Sequence, residues 1–237
     1  NGSLYVAYAD SDDTVASGGT PRLFVKTFSG SVWSAVGGTD GVSIYDTDTD
    51  AGMAQGKWGS VPALTVANTS PFLVYQTNSL SLVDSLLYPG SGDYWEEADS
   101  SFWYPDNSIA ASWIALDTNA SGTPIAALQS ASAPTIDLYR YDNAAWSFYA
   151  TKDLTGDWME VFGYLLDASD NAYFAYETYG GTPATQNDAG VHRFNGSSWT
   201  DIGLASQLQD VEIVTGIGIA ERATGTGLYV VAAYRTT

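Results

Sequence analysis

One short hairpin pattern recurs through the chain and limits what it can fold into. It appears as KTFSGSVWS at Lys26 to Ser34, YPGSGDYWE at Tyr88 to Glu96, RYDNAAWSF at Arg140 to Phe148 and HRFNGSSWT at His192 to Thr200. Each copy is an apolar or aromatic run, a tight turn with Gly or Asn three residues before a Trp, and a second alternating run. Residue pairs such as Asn-Gly, Ser-Gly and Asp-Asn supply the positive φ that a short antiparallel turn requires. The four tryptophans, Trp33, Trp95, Trp146 and Trp199, are spaced by 62, 51 and 53 residues. A period of about fifty residues carrying several strands predicts a repeat architecture built of small sheets.

Two further strands complete the repeat. Apolar runs at Leu4 to Tyr8, Phe72 to Tyr75, Ile125 to Leu128, Tyr173 to Tyr176 and Leu228 to Ala232 each precede a hairpin or stand where one would follow. Their near-continuous apolarity predicts strands buried on both faces. Ahead of all but the first lie shorter segments, Leu64 to Val66, Ile114 to Leu116, Tyr164 to Leu166 and Ile217 to Ala220. The turns between the two, Asn119 to Gly122 and Asp167 to Asn171, have the Gly, Asn and Asp content of tight connections. Calling these strands A and B and the hairpin C and D, the order is B-C-D, three times A-B-C-D, then A-B, or seventeen strands.

Composition agrees. Aromatics make up 14% of the 237 residues, including sixteen Tyr and eight Trp, which suit half-buried sheets. Twenty-seven acids against eight bases give a net charge of −19, which argues against nucleic acid or an anionic membrane as partner. No apolar run is long enough to insert into a bilayer as a helix. The absence of Cys excludes disulfides and thiolate metal sites. The chain starts at Asn1 without Met and reads as a processed or excerpted segment of a secreted or cell-surface protein.

The repeat resembles the short-blade β-propellers of secreted bacterial and lectin-type proteins, in which an apolar B strand precedes a hairpin with G-x-x-W. Its turn is also similar to the Asp-box of sialidase-like propellers, with Phe28, Gly90, Tyr141 and Phe194 in the Asp position. The resemblance implies an all-β propeller of about five four-stranded blades, with residues 1–237 forming one domain.

Several residues are candidates for chemistry. Asp46, Asp48 and Asp50, in DTDTDAG, alternate oxygens around a loop in the manner of a Ca²⁺ site, although without the EF-hand's final Glu; Asp10, Asp12 and Asp13 form a weaker copy. Asp117, Asp167 and Glu221 share one position, the end of strand A. Five-bladed glycoside hydrolases draw catalytic carboxylates from different blades, while Asp at such a place also initiates turns through its own backbone. Trp58, Trp103 and Trp158 fall in the D to A connections, where a flat apolar ring can stack on a sugar or fill space between blades. Asn1, Asn68, Asn119 and Asn195 begin N-x-S sequons. The lone histidine, His192, the absence of G-x-S-x-G and the absence of a phosphate loop close most other catalytic routes.

These features predict a non-catalytic extracellular module, binding a protein or polysaccharide of an extracellular assembly or a second copy of itself, with Ca²⁺ as a stiffener of the 46–52 loop. A glycan-binding lectin is the alternative and a glycoside hydrolase the second alternative. The expectation drawn is that the chain is not an enzyme.

Overall fold

The computed structural model describes residues 3–10, 22–37, 62–76, 83–92, 94–98, 111–130, 135–154, 158–179, 188–203, 213–221 and 227–235. They contain seventeen strands and no helix, in the order the sequence predicts. The first sheet is β1 (Leu4–Asp10), β2 (Arg22–Phe28) and β3 (Trp33–Ala35). The second is β4 (Ala63–Ala67), β5 (Ser70–Gln76), β6 (Val83–Leu87) and β7 (Glu96–Glu97), and the third β8 (Ala111–Thr118), β9 (Pro124–Ser130), β10 (Thr135–Asp142) and β11 (Ala145–Asp153). The fourth is β12 (Trp158–Leu166), β13 (Ala172–Tyr179), β14 (Asp188–Phe194) and β15 (Trp199–Asp201), and β16 (Ile213–Glu221) pairs with β17 (Leu228–Arg235). Each sheet is a meander of neighbouring strands, antiparallel in each of the pairs β1–β2, β4–β5, β8–β9, β12–β13 and β16–β17. The strands group into two compact units, one holding the first three sheets through Ala150 and the other the remaining sheets with short inserts from 119–121 and 133–136.

In the first unit the core forms where sheet faces meet. Leu23, Val25 and Val36 of the first sheet pack with Leu73, Tyr75, Leu86 and Trp95 of the second. The opposite face of the second sheet sets Phe72, Val74 and Val83 against Ile114, Leu128 and Tyr139 of the third. Alternation along β5 therefore feeds both cores, which is why its apolar run is unbroken. β9 is buried at all seven positions. β1 departs from this: Tyr5 and Ala7 pack inward, whereas Leu4 and Val6 are exposed.

Local chemistry explains the turns. β4 and β5 are joined by Asn68 and Thr69, at φ 48° and 80°, and β10 and β11 by Asn143 and Ala144, at φ 54° and 61°. Two consecutive residues with positive φ match the right-handed twist of a hairpin. Asp142, read from sequence as part of that turn, is instead the last residue of β10. The aromatic residues in the Asp-box position have a structural reason, since Phe28, Tyr141 and Phe194 each meet their hairpin Trp across the strand pair at ring distances of 5.1, 5.3 and 5.0 Å. In the second sheet Tyr88 takes this part, 5.5 Å from Trp95.

Candidate functional site

A cleft of about 290 Å³ opens between the second and third sheets of the first unit. Three turns build its walls: Asn68 after β4, Gly122 before β9, and Asn143 at the tip of the β10–β11 hairpin beside Asp142, the last residue of β10. Its apolar side is the half-buried ring of Tyr141, with the buried Phe72 behind it at 5.0 Å and 59°. Tyr141 is fixed from behind, its hydroxyl donating to the Ala98 carbonyl at 2.6 Å and its ring packing on Trp146. Trp146 is held in turn, with Phe72 edge-on at 5.8 Å and Nε1 donating to Ser85 Oγ at 2.9 Å. Gly122, at φ +79°, is required by close approach as well as by backbone: a Cβ there would stand 2.6 Å from Asn68 Oδ1. Arg140 Nε lies 2.7 Å from Asp142 Oδ2 but off the line of a directed hydrogen bond. With both side chains well exposed, that pair adds little to stability.

The carboxylates at the strand A ends sit as follows. Asp167 is a turn former: Oδ1 accepts from the backbone N–H of Ser169 and Asn171 at 2.8 and 2.9 Å, and Oδ2 accepts from Asn171 Nδ2 and the Tyr173 hydroxyl at 2.7 and 3.0 Å. Burial raises its pKa, and the donors of Asn171, Ser169 and Tyr173 more than offset this, leaving the carboxyl below its ordinary value. Asp117 Oδ1 accepts from the Thr118 N–H at 2.8 Å. Glu221 ends β16 opposite Leu228.

Trp158 opens strand β12 opposite Tyr179 and so belongs to strand A, not to a D to A connection. Trp58, Trp103, the calcium candidates Asp46, Asp48 and Asp50, and Asp12 and Asp13 of the weaker copy lie outside the described residues. Among the described residues no cluster of three metal-ligating side chains occurs. Of the sequons, Asn119 is buried, its Nδ2 donating to Asp170 and its Oδ1 accepting from Ser121. Asn195 Oδ1 caps its own turn through Ser197 and Ser198.

His192, on β14, is 8% exposed and stacks on Tyr176 at 5.2 Å, sharing a 2.9 Å hydrogen bond through Nε2. Gly190 allows this, because a Cβ there would meet the Tyr176 hydroxyl at 2.6 Å. Burial and the positive charge of Lys152 lower the His192 pKa, against the opposing pull of Asp201. The unfolded chain, with an ordinary His pKa of about 6.5, then binds the proton more readily than the native state. The contribution is fully present above that pH and is lost as pH falls from about 6.5 toward the lower native value. Thermal melts at successive pH values between 7.5 and 5 are expected to show this decline, and His192→Gln, which retains a hydrogen-bonding partner for Tyr176, should flatten it.

No protein-family model and no curated protein matches the sequence. Solved structures do. The chain is similar to an α-L-arabinofuranosidase of Clostridium thermocellum (TM-score 0.52, 14% identity, 97% of this chain and 78% of that one). It is also similar to 1,3Gal43A, an exo-β-1,3-galactanase of the same organism (TM-score 0.53, 10% identity, 96% of this chain and 51% of that one). A third likeness is to the fucose-recognising six-bladed lectin of Aleuria aurantia (TM-score 0.53, 14% identity, 92% of this chain and 66% of that one). The fold is a β-propeller. The chain spans about half the length of the galactanase. These likenesses correct one expectation, that the chain is not an enzyme: two of the three are glycosidases built on the same fold. That expectation rested on the missing thiols, G-x-S-x-G and phosphate loop, whereas glycoside hydrolysis is carried by carboxylates and needs none of them.

The sequence did not single out the cleft. Asn143 was visible only as a turn residue and Asn68 only as the start of a sequon; nothing local told that the propeller would bring the two to one cleft.

Proposed function

We propose that this propeller engages carbohydrate, and that the polymer of the extracellular assembly expected from sequence is a polysaccharide. The observation that carries the reading is the cleft between the second and third sheets. It sets the half-buried ring of Tyr141, backed by the buried Phe72, against Asn68, Asn143 and Asp142. Sugars have apolar C–H faces and hydroxyl edges, and sites for them combine a flat ring with a few fixed donors and acceptors. The kinds of protein that share the fold, two acting on arabinosyl or galactan linkages and one recognising fucose, favour the same class of ligand.

Native gel electrophoresis through arabinan or galactan tests the reading. The chain is expected to be retarded by at least one of these polymers relative to a gel without polysaccharide, and equal mobility in all of them would refute it.

Glycoside hydrolysis is a second reading, favoured by the glycosidases among the neighbours. Asp117, Asp167 and Glu221 are its candidate carboxylates. Release of reducing sugar from arabinan or galactan, abolished in Asp117→Asn, Asp167→Asn or Glu221→Gln variants assayed at a temperature where each is folded, would support it; undiminished release in all three would remove these residues from the mechanism.

A further inference from the structure

The geometry points to the cleft between the second and third sheets as a site for a single neutral sugar ring, which discriminates against acidic sugars; this rests on the carbohydrate reading above. Four observations lead there.

The first is size. At about 290 Å³ the cleft lies at the small end of ligand pockets, which run from about 300 to 1,000 Å³, and so suits one ring better than an extended oligosaccharide.

The second is pre-organisation. Asn68 and Asn143 project from two-residue turns whose positive φ values fix the backbone, and Asn68 Oδ1 is seated over Gly122. Tyr141 is anchored through its hydroxyl on Ala98, so its ring is held in place before any ligand arrives. Groups already in position do not have to be ordered on binding, which is the chief saving open to a small site.

The third is functional-group match. An amide both donates and accepts, and a carboxylate accepts, so Asn68, Asn143 and Asp142 together complement vicinal hydroxyls, each of which also donates and accepts.

The fourth is charge. Asp142 lies in the lining with its charge partly offset by Arg140 at 2.7 Å, and the chain carries −19 overall, so a carboxylate on the ligand would be repelled chiefly by the surrounding field. A hydroxymethyl group in its place meets no such barrier. The discrimination is therefore between sugars that differ only in that substituent.

The turns also supply variants that separate binding from folding. Asn68→Gly and Asn143→Gly remove the amides while keeping a residue that adopts positive φ without strain. Gly122→Ala leaves both amides in the chain but drives a methyl group against Asn68 Oδ1 and strains a backbone at φ +79°, so its affinity is compared with wild type only after its melting temperature is measured.

The experiment is saturation-transfer NMR and calorimetric titration of the wild-type chain with D-galactose, L-arabinose, L-fucose and D-galacturonate. At least one neutral sugar is expected to bind, with affinity falling about tenfold or more in Asn143→Gly and Asn68→Gly, as loss of a well-placed hydrogen bond implies. D-Galacturonate should bind at least about tenfold more weakly than D-galactose, with the gap narrowing as salt is raised. Wild-type affinity in both glycine variants and in Gly122→Ala would place the sugar elsewhere and overturn this inference while leaving the carbohydrate reading intact. Equal affinity for galactose and galacturonate would overturn the preference for neutral sugars. Binding of polysaccharide without any monosaccharide would overturn the one-ring site, and silence toward both would overturn the carbohydrate reading with it.

Discussion

Replacing Trp95 with Ala is expected to destabilise the protein by about 3–5 kcal/mol, the cost of emptying a large, well-packed aromatic site. Trp95 is fully buried between the first and second sheets, and its Nε1 donates to the Val36 carbonyl at 3.1 Å. Its removal leaves a cavity lined by Leu23, Leu73 and Leu86 and an unpaired carbonyl. Gly37 is fitted to the same ring: at φ +77°, its Cβ would overlap the Trp95 indole. The repeat-equivalent Trp33 is 45% exposed and packs chiefly on Phe28, so Trp33→Ala should cost well under half as much. Chemical denaturation of the two variants checks the contrast; equal losses would mean that the buried contacts of Trp95 are not what gives the repeat tryptophan its structural role.

Asp167→Ala should cost about 2–3 kcal/mol, because one carboxylate satisfies two backbone N–H groups, an amide and a phenol, and bonds to a charged acceptor are stronger than neutral ones. Asp167→Asn, which retains one acceptor oxygen, should lose roughly half of that. The depressed pKa adds a pH signature. The contribution of Asp167 is present above the ordinary carboxyl value of 3.8 and is lost as pH falls through the lower native value. Urea melts of wild type and Asp167→Asn at pH 7 and pH 3 measure it, and a wild-type advantage that does not shrink at the lower pH would show that the carboxylate is not acting through its charge.

The hairpins were legible because their turn residues and Trp recur in fixed order. The inner strands were legible only in part, and the reason is physical. Short apolar segments ahead of the turns placed them from Ile114, Tyr164 and Ile217, whereas β8, β12 and β16 begin at Ala111, Trp158 and Ile213. Each carries a register shift just before the segment that was read, between Ala111 and Trp113, Met159 and Val161, and Val214 and Gly216. A bulge adds one residue and reverses which face each side chain takes, so a period of two is broken there. That is how Trp158 came to be read as a loop residue. The cleft escaped for a different reason. Its amides belong to turns 75 residues apart, and each turn explains its own Asn locally through positive φ. A residue with a sufficient local explanation gives no sign in sequence of a second role.

The central claim, that sugar is held between the second and third sheets, is tested most directly by ¹H–¹⁵N spectra of the chain titrated with D-galactose and L-arabinose. The side-chain amide resonances of Asn68 and Asn143 and the indole N–H of Trp146, which packs behind Tyr141, are expected to shift saturably and together, while the indole of Trp95 stays in place. Saturable shifts confined to other residues, or none with either sugar, would contradict the account.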